Sequence, residues 1–199
     1  MPKPLLSARY RVVVRDPKGH IKYIEEAPSK SFILNFLYVL WLTFNLNSTD
    51  TVSVVNPDGQ ETTQALGQAV AWGTWLNYQA EVYGGIQVGS GTSSPSASSP
   101  YLESLILSGS SSGRLVYGSD SVTSPSLSSN PATIKITKSF INNSETTVTV
   151  SEIGFAPLLY GANTTIYGAC LFIHDVLSSP ISVHFEDAIT VTYTLQVNT

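Results

Sequence analysis

From Ala8 to Arg15 apolar and polar side chains alternate, and the same period of two returns from Thr133 to Phe140 (TIKITKSF), Thr146 to Ile153 and Ile189 to Val197 (ITVTYTLQV). Such alternation predicts strands with one face turned to a core. Shorter runs from His20 to Glu25, Thr51 to Val55, Gln60 to Thr63, Arg114 to Tyr117, Ala169 to Ile173 and Ile181 to Phe185 predict further strands. One stretch breaks the period. Between Ser31 and Asn45, Phe32, Phe36, Val39, Leu40 and Thr43 recur at spacings of three and four, which predicts an apolar α-helix. Ser29 or Ser31 would cap its start. Residues 64–83 fit either state, since their alanines favour helix and Gly67 and Gly73 weaken it.

Turn chemistry separates the strands. Asp16-Pro17-Lys18-Gly19 and Asn56-Pro57-Asp58-Gly59 each place a proline where φ must be near −65° and a glycine where it must turn positive. The first makes residues 8–25 an N-terminal hairpin. Residues 90–129 hold seventeen serines and read as surface loops, because so polar a stretch buries little apolar area. The expected fold is mainly β: a jelly-roll-like β-sandwich with an N-terminal hairpin and one apolar α-helix. Residues 1–46 form the hairpin arm and helix, and residues 47–199 form the sandwich body with its Ser-rich loops.

Composition changes this picture in two ways. The chain has 199 residues, enough for one domain whose core needs no disulfide or metal. Only 12% are charged, against about 25% in an average domain. A surface so poorly charged suits a molecule largely covered by copies of itself. The charge is also divided. Residues 1–30 carry seven basic and three acidic side chains, a net +4, and the remainder carries three and eleven, a net −8. A basic arm on an acidic body can dock head-to-tail on the next copy, and deleting residues 1–30 is then expected to leave a folded but smaller species. An alternative use of the arm is contact with packaged nucleic acid, although the overall charge of −4 argues against a general nucleic-acid binder. The apolar run from Phe32 to Leu46 spans 15 residues and includes Asn35, Thr43 and Asn45, too short and polar for a membrane span. No secretion signal opens the chain, so the expected site of synthesis is a cytoplasm.

Candidate chemistry is sparse. Cys170 stands alone among apolar neighbours and reads as an inert buried thiol. Gly109-Ser110-Ser111-Ser112-Gly113 matches G-x-S-x-G literally, but a strand-like segment follows where a nucleophile elbow needs a helix. Gly84 to Gly91 lacks the Gly-Lys-Ser/Thr of a phosphate loop and reads as flexible backbone near a subunit contact. His174-Asp175 could converge with His184, Glu186 and Asp187, yet no metal-ligand spacing requires it, and structural roles are expected for them and for His20. The sequence therefore nominates no catalytic, cofactor-binding or metal residue, and no cofactor. Asn47, Asn142 and Asn163 begin glycosylation sequons, a matter only for a host that glycosylates exposed proteins.

Three stretches of the second half carry a resemblance. They are Gly85-Ile86-Gln87-Val88-Gly89-Ser90-Gly91-Thr92 with Pro95 and Leu102-Glu103-Ser104-Leu105-Ile106; Phe140 to Phe155; and His174-Asp175-Val176 with Ser179 to Val183 and Ile189 to Leu195. Over roughly residues 84–199 the chain resembles structural proteins of tailed bacterial and archaeal viruses. Where such proteins carry a Pro-Gly turn before the last strand, this chain has Glu186-Asp187-Ala188. The resemblance implies a β-sandwich component of the tail, capsid surface or vertex, with no catalytic residues to carry over. The expected function is a structural virion subunit acting by self-assembly, a homo-oligomer among other virion proteins. The alternatives are a carbohydrate- or receptor-binding module, and an extracellular filament or surface-layer subunit.

Overall fold

The computed structural model describes residues 6–29, 31, 37, 51–55, 60–65, 84–96, 99, 101–123, 131–160 and 166–197. In chain order the strands are β1 (Leu6–Arg15), β2 (Ile21–Pro28), β3 (Thr51–Val55), β4 (Glu61–Ala65), β5 (Gly85–Gly89), β6 (Val116–Tyr117) and β7 (Ser121–Thr123). They continue with β8 (Ala132–Ile141), β9 (Val148–Ala156), β10 (Leu158–Tyr160), β11 (Ile166–Ala169), β12 (Ile173–Val183) and β13 (Ala188–Val197). The fold is mainly β and every strand pairing is antiparallel. The apolar helix expected between Ser31 and Asn45 lies outside the described residues, apart from Ser31 itself and Leu37, which is helical and exposed. Among the described residues no helix is long and apolar enough to cross a membrane.

The largest sheet runs β2-β1-β13-β8-β6, with β7 also on β8; a second runs β12-β9-β5, and a third β10-β11-β3-β4. The inner faces of the first two share one core. Tyr10, Val12, Val14, Ile136, Phe140, Ile189, Val191 and Tyr193 come from one side; Ile86, Val88, Val150, Ile153, Phe155, Ile181 and Val183 come from the other. The alternation seen in the sequence thus separates core from surface, as a pleat with a period of two must. Pro157 breaks β9 from β10. Across the hairpin, Cys170 N–H donates to Pro157 O and Phe172 N–H to Phe155 O, so the long β9–β10/β11–β12 pair passes from one sheet into another. Leu102, Ala156, Leu158, Ala169 and Leu171 fill the bend.

The N-terminal hairpin is built as its turn residues dictate. Asp16 Oδ1 accepts the Lys18 and His20 N–H groups, and Gly19, at φ +86°, donates to Asp16 O. Its place in the fold differs from that of an arm. β1 pairs with β13 over all ten of its residues, from Leu6 opposite Val197 to Arg15 opposite Ala188, and lies between β13 and β2. An expected boundary at residue 46 therefore leaves a mid-sheet strand on the far side from its own sheet. The second hairpin, β3–β4, pairs as the sequence suggests, and its Asn56–Gly59 turn lies outside the described residues.

Candidate functional site

Two ionisable centres lie buried and a third is half-buried, and in each the local sequence explains the placement. Lys138 stands in phase with Ile136 and Phe140 on β8, so the strand carries its side chain inward, where it is 2% exposed. Its Nζ lies 2.9 Å from Asp120 Oδ2 and 3.1 Å from Gly84 O, and above the Tyr117 ring. Asp120 Oδ1 accepts the Ile86 N–H at 3.0 Å. Burial pushes the Asp120 carboxyl above its usual range despite Lys138. A Cβ on Gly85, itself at φ +79°, would meet the Asp120 carboxylate, so glycine is required there twice over.

Glu152 occupies the middle of β9 with no exposed surface. Its Oε1 accepts the Gly91 and Ser104 N–H groups at 3.0 and 2.7 Å; its Oε2 accepts Glu103 N–H at 3.0 Å and meets His174 Nε2 at 2.7 Å. Four partners occupy the lone-pair positions of a carboxylate. Burial alone would raise its pKa, but these hydrogen bonds outweigh it and hold the carboxyl below the ordinary value. Around it, Glu103 receives Thr92 and Ser93 N–H and the Ser93 hydroxyl, which ties two limbs of the Ser-rich loop to each other. The glycine-rich stretch is accordingly the buried strand β5 paired with β9, rather than flexible backbone. A Cβ on Gly89 or Gly91 would fall 2.3 or 2.7 Å from Glu152 Oε1.

Glu25, on β2, receives the Tyr10 hydroxyl at 2.7 Å, the Tyr23 hydroxyl, and the Ser178 N–H and hydroxyl at 3.1 and 2.9 Å. It ties the edge of the largest sheet to β12 of the second. Burial acts to raise its pKa, and the hydroxyls of Tyr23 and Tyr10 with Ser178 bring it below the usual range. Burial first, then the Glu25 carboxylate, push the Tyr10 hydroxyl far above its ordinary value, so it stays protonated and donating. Glu25, Tyr10 and Ser178 line a cleft of about 380 Å³ together with Asp175, which accepts the hydroxyl of the fully buried Tyr193. With both Glu25 oxygens engaged, that carboxylate is a clamp between sheets and has no lone pair left for a metal or for proton transfer.

The residues singled out in the sequence disperse. His174 lies at the start of β12 and His184 just past its end; His184 is exposed and bonds Thr147, and His20 pairs with Asp16 in the first turn. Asp187 accepts Lys22 Nζ and His184 N–H. Ser111 lies in an exposed turn between Gly109 and Gly113. Cys170 is fully buried, and burial raises its thiol away from the reactive thiolate. The Asn142 amide is also fully buried, donating to Thr146 O and Val183 O, which closes that sequon to a glycan; Asn47 and Asn163 lie outside the described residues. Among the described residues no three His, Cys, Asp or Glu side chains gather as a metal would need.

Free charge lies instead on the outward face of the largest sheet. Arg9, Arg11, Glu26, Lys135, Thr137, Thr192 and Thr194 line a groove of about 460 Å³. Register places them on two adjacent rungs, Arg9–Thr194–Lys135 and Glu26–Arg11–Thr192–Thr137. Arg9 pairs with Glu26 at 3.2 Å, while Arg11 and Lys135 have no acidic partner among the described residues. Cations flanked by hydroxyls in such a groove can take carboxylates or other anions. Compared with known proteins, the chain matches no family model, no curated protein and no solved structure.

Proposed function

We propose that the chain is a structural subunit of a virus particle, made in the host cytoplasm and acting by self-assembly. The observation that carries the reading is how the charged groups divide. The buried Glu152, Lys138 and Asp120, with the half-buried Glu25, are engaged in bracing sheets and loops, whereas Arg11 and Lys135, on the outer face of the largest sheet, have no acidic partner among the described residues. A braced body with a charged outer face is what a repeating contact needs. The two sheets over one core, with the first and last strands side by side, read as a jelly-roll-like sandwich. The place in a virion rests on the resemblance over residues 84–199. Size-exclusion chromatography with light scattering on the purified chain tests the reading. A trimer, hexamer, ring or filament supports it. A soluble monomer at every concentration overturns it, and a carbohydrate- or receptor-binding module takes its place.

A further inference from the structure

The molecule carries a second uncommitted feature, of opposite charge to the groove. The turn His184–Asp187 joins β12 to β13 and places Phe185, 51% exposed, beside exposed Glu186. Glu186 is at φ +64°, the one non-glycine residue with positive φ among those described. Exposed Glu145 lies on the neighbouring turn between β8 and β9. The two turns are locked together from below. Asn142 N–H donates to Asp187 O at 3.0 Å, Glu186 N–H donates to Asn142 O at 2.7 Å, and Asp187 holds Lys22 and the His184 N–H. None of this bracing uses the side chains of Glu145, Phe185 or Glu186. A disfavoured backbone held at a rigid, exposed tip is where a recognition function is to be sought.

We infer that the Glu145–Phe185–Glu186 tip of one copy seats in the Arg9–Arg11–Lys135 groove of a second copy, a head-to-tail contact that rests on the self-assembly reading. Two acids face Arg11 and Lys135, with Arg9 beside them held by Glu26, and the exposed ring can lie against the Arg11 guanidinium. The tip cannot reach its own groove. Arg15 pairs with Ala188 beside the tip, and Arg9 is six residues further along β1, about 20 Å at 3.3 Å per residue. A contact between two different patches propagates as a ring or filament.

The test uses the full chain in two charge-reversed forms, Arg11→Glu with Lys135→Glu, and Glu145→Lys with Glu186→Lys. By light scattering, each alone is expected to raise the half-assembly concentration at least about tenfold, with an unchanged circular dichroism spectrum. Mixed in equal amounts they are expected to assemble again, since each reversed tip then meets a groove of opposite sign. Variants that assemble as the wild type does overturn the contact while leaving self-assembly standing. A wild type that is monomeric throughout overturns both. Unchanged mass with lost binding to heparin or DNA in the groove variant overturns the contact in favour of a polyanion.

Discussion

Glu152 is the residue whose loss the fold would feel most. Replacing it by Ala leaves His174 Nε2 and the Gly91, Glu103 and Ser104 N–H groups without their acceptor, and a buried polar group left unsatisfied costs about 1–3 kcal/mol. The expected result for Glu152→Ala is a large fall in the urea midpoint, with the 90–104 loop becoming sensitive to protease; a midpoint within error of the wild type would refute the brace. Glu186 gives a prediction of opposite sign. At φ +64° a glycine carries no Cβ penalty, so Glu186→Gly is expected to stabilise dilute protein by about 0.5–1 kcal/mol, read as a raised melting temperature. The buried charges were partly legible. Lys138 falls in phase with Ile136 and Phe140, so the pattern alone marks it as inward-facing, whereas Glu152 is out of phase with its core neighbours Ile153 and Phe155 and is buried only because the loop of Gly91, Glu103 and Ser104 covers it. Their partners were not legible, because Asp120, Gly91 and Glu103 lie 18 to 61 residues away and only the tertiary fold brings them near.

β1 shows what a sequence pattern conveys about an element and what it leaves out. Its alternation fixes which side chains turn inward, and Ala8, Tyr10, Val12 and Val14 are all buried. Its neighbour is a different matter, since pairing with β13 closes the chain end to end and no local signal announces that. The hairpin's positive charge suggested an arm, yet the arginines are the outward phase of a strand flanked on both sides within the sheet. Removing residues 1–30 would strip β13 of its partner along ten residues and open the core. The expected outcome is thus an insoluble or unfolded product, rather than the smaller folded species the charge division alone suggests. A truncated chain retaining its β circular dichroism and a cooperative melt would show that β1 is dispensable. β12 was harder to read. Its register shifts between Val176 and Ile181, where Leu177-Ser178-Ser179-Pro180 interrupt the alternation, so the sequence exposes only its later half. Ser178, within that interruption, is where Glu25 takes hold. β5 hid for the same kind of reason: its glycines look like a loop and are there to admit Asp120 and Glu152.

At the scale of the whole molecule, carboxylates join what the strands leave separate. Glu25 links the edge of the largest sheet to β12, and Glu152 links the second sheet to the Ser-rich loop. Both have pKa values below the ordinary range in the folded chain. A carboxyl more acidic when folded than when unfolded contributes stability that is present above its unfolded pKa, about 4.3 for glutamate, and lost as the pH falls through the folded value. Asp120 works in the other direction: its folded pKa is raised, so its contribution grows as the pH drops and only partly offsets the loss. The melting temperature is therefore expected to hold from pH 7 to about 5 and to fall steeply below about pH 4. In Glu152→Gln, already less stable at pH 7, one of the two titrating links is gone, so the same descent should be shallower. Thermal melts of both proteins across this range check it. Parallel descents would assign the acid sensitivity to groups other than Glu152, whereas convergence of the two curves at low pH would identify this carboxylate as the group whose protonation loosens the loop from the sheet.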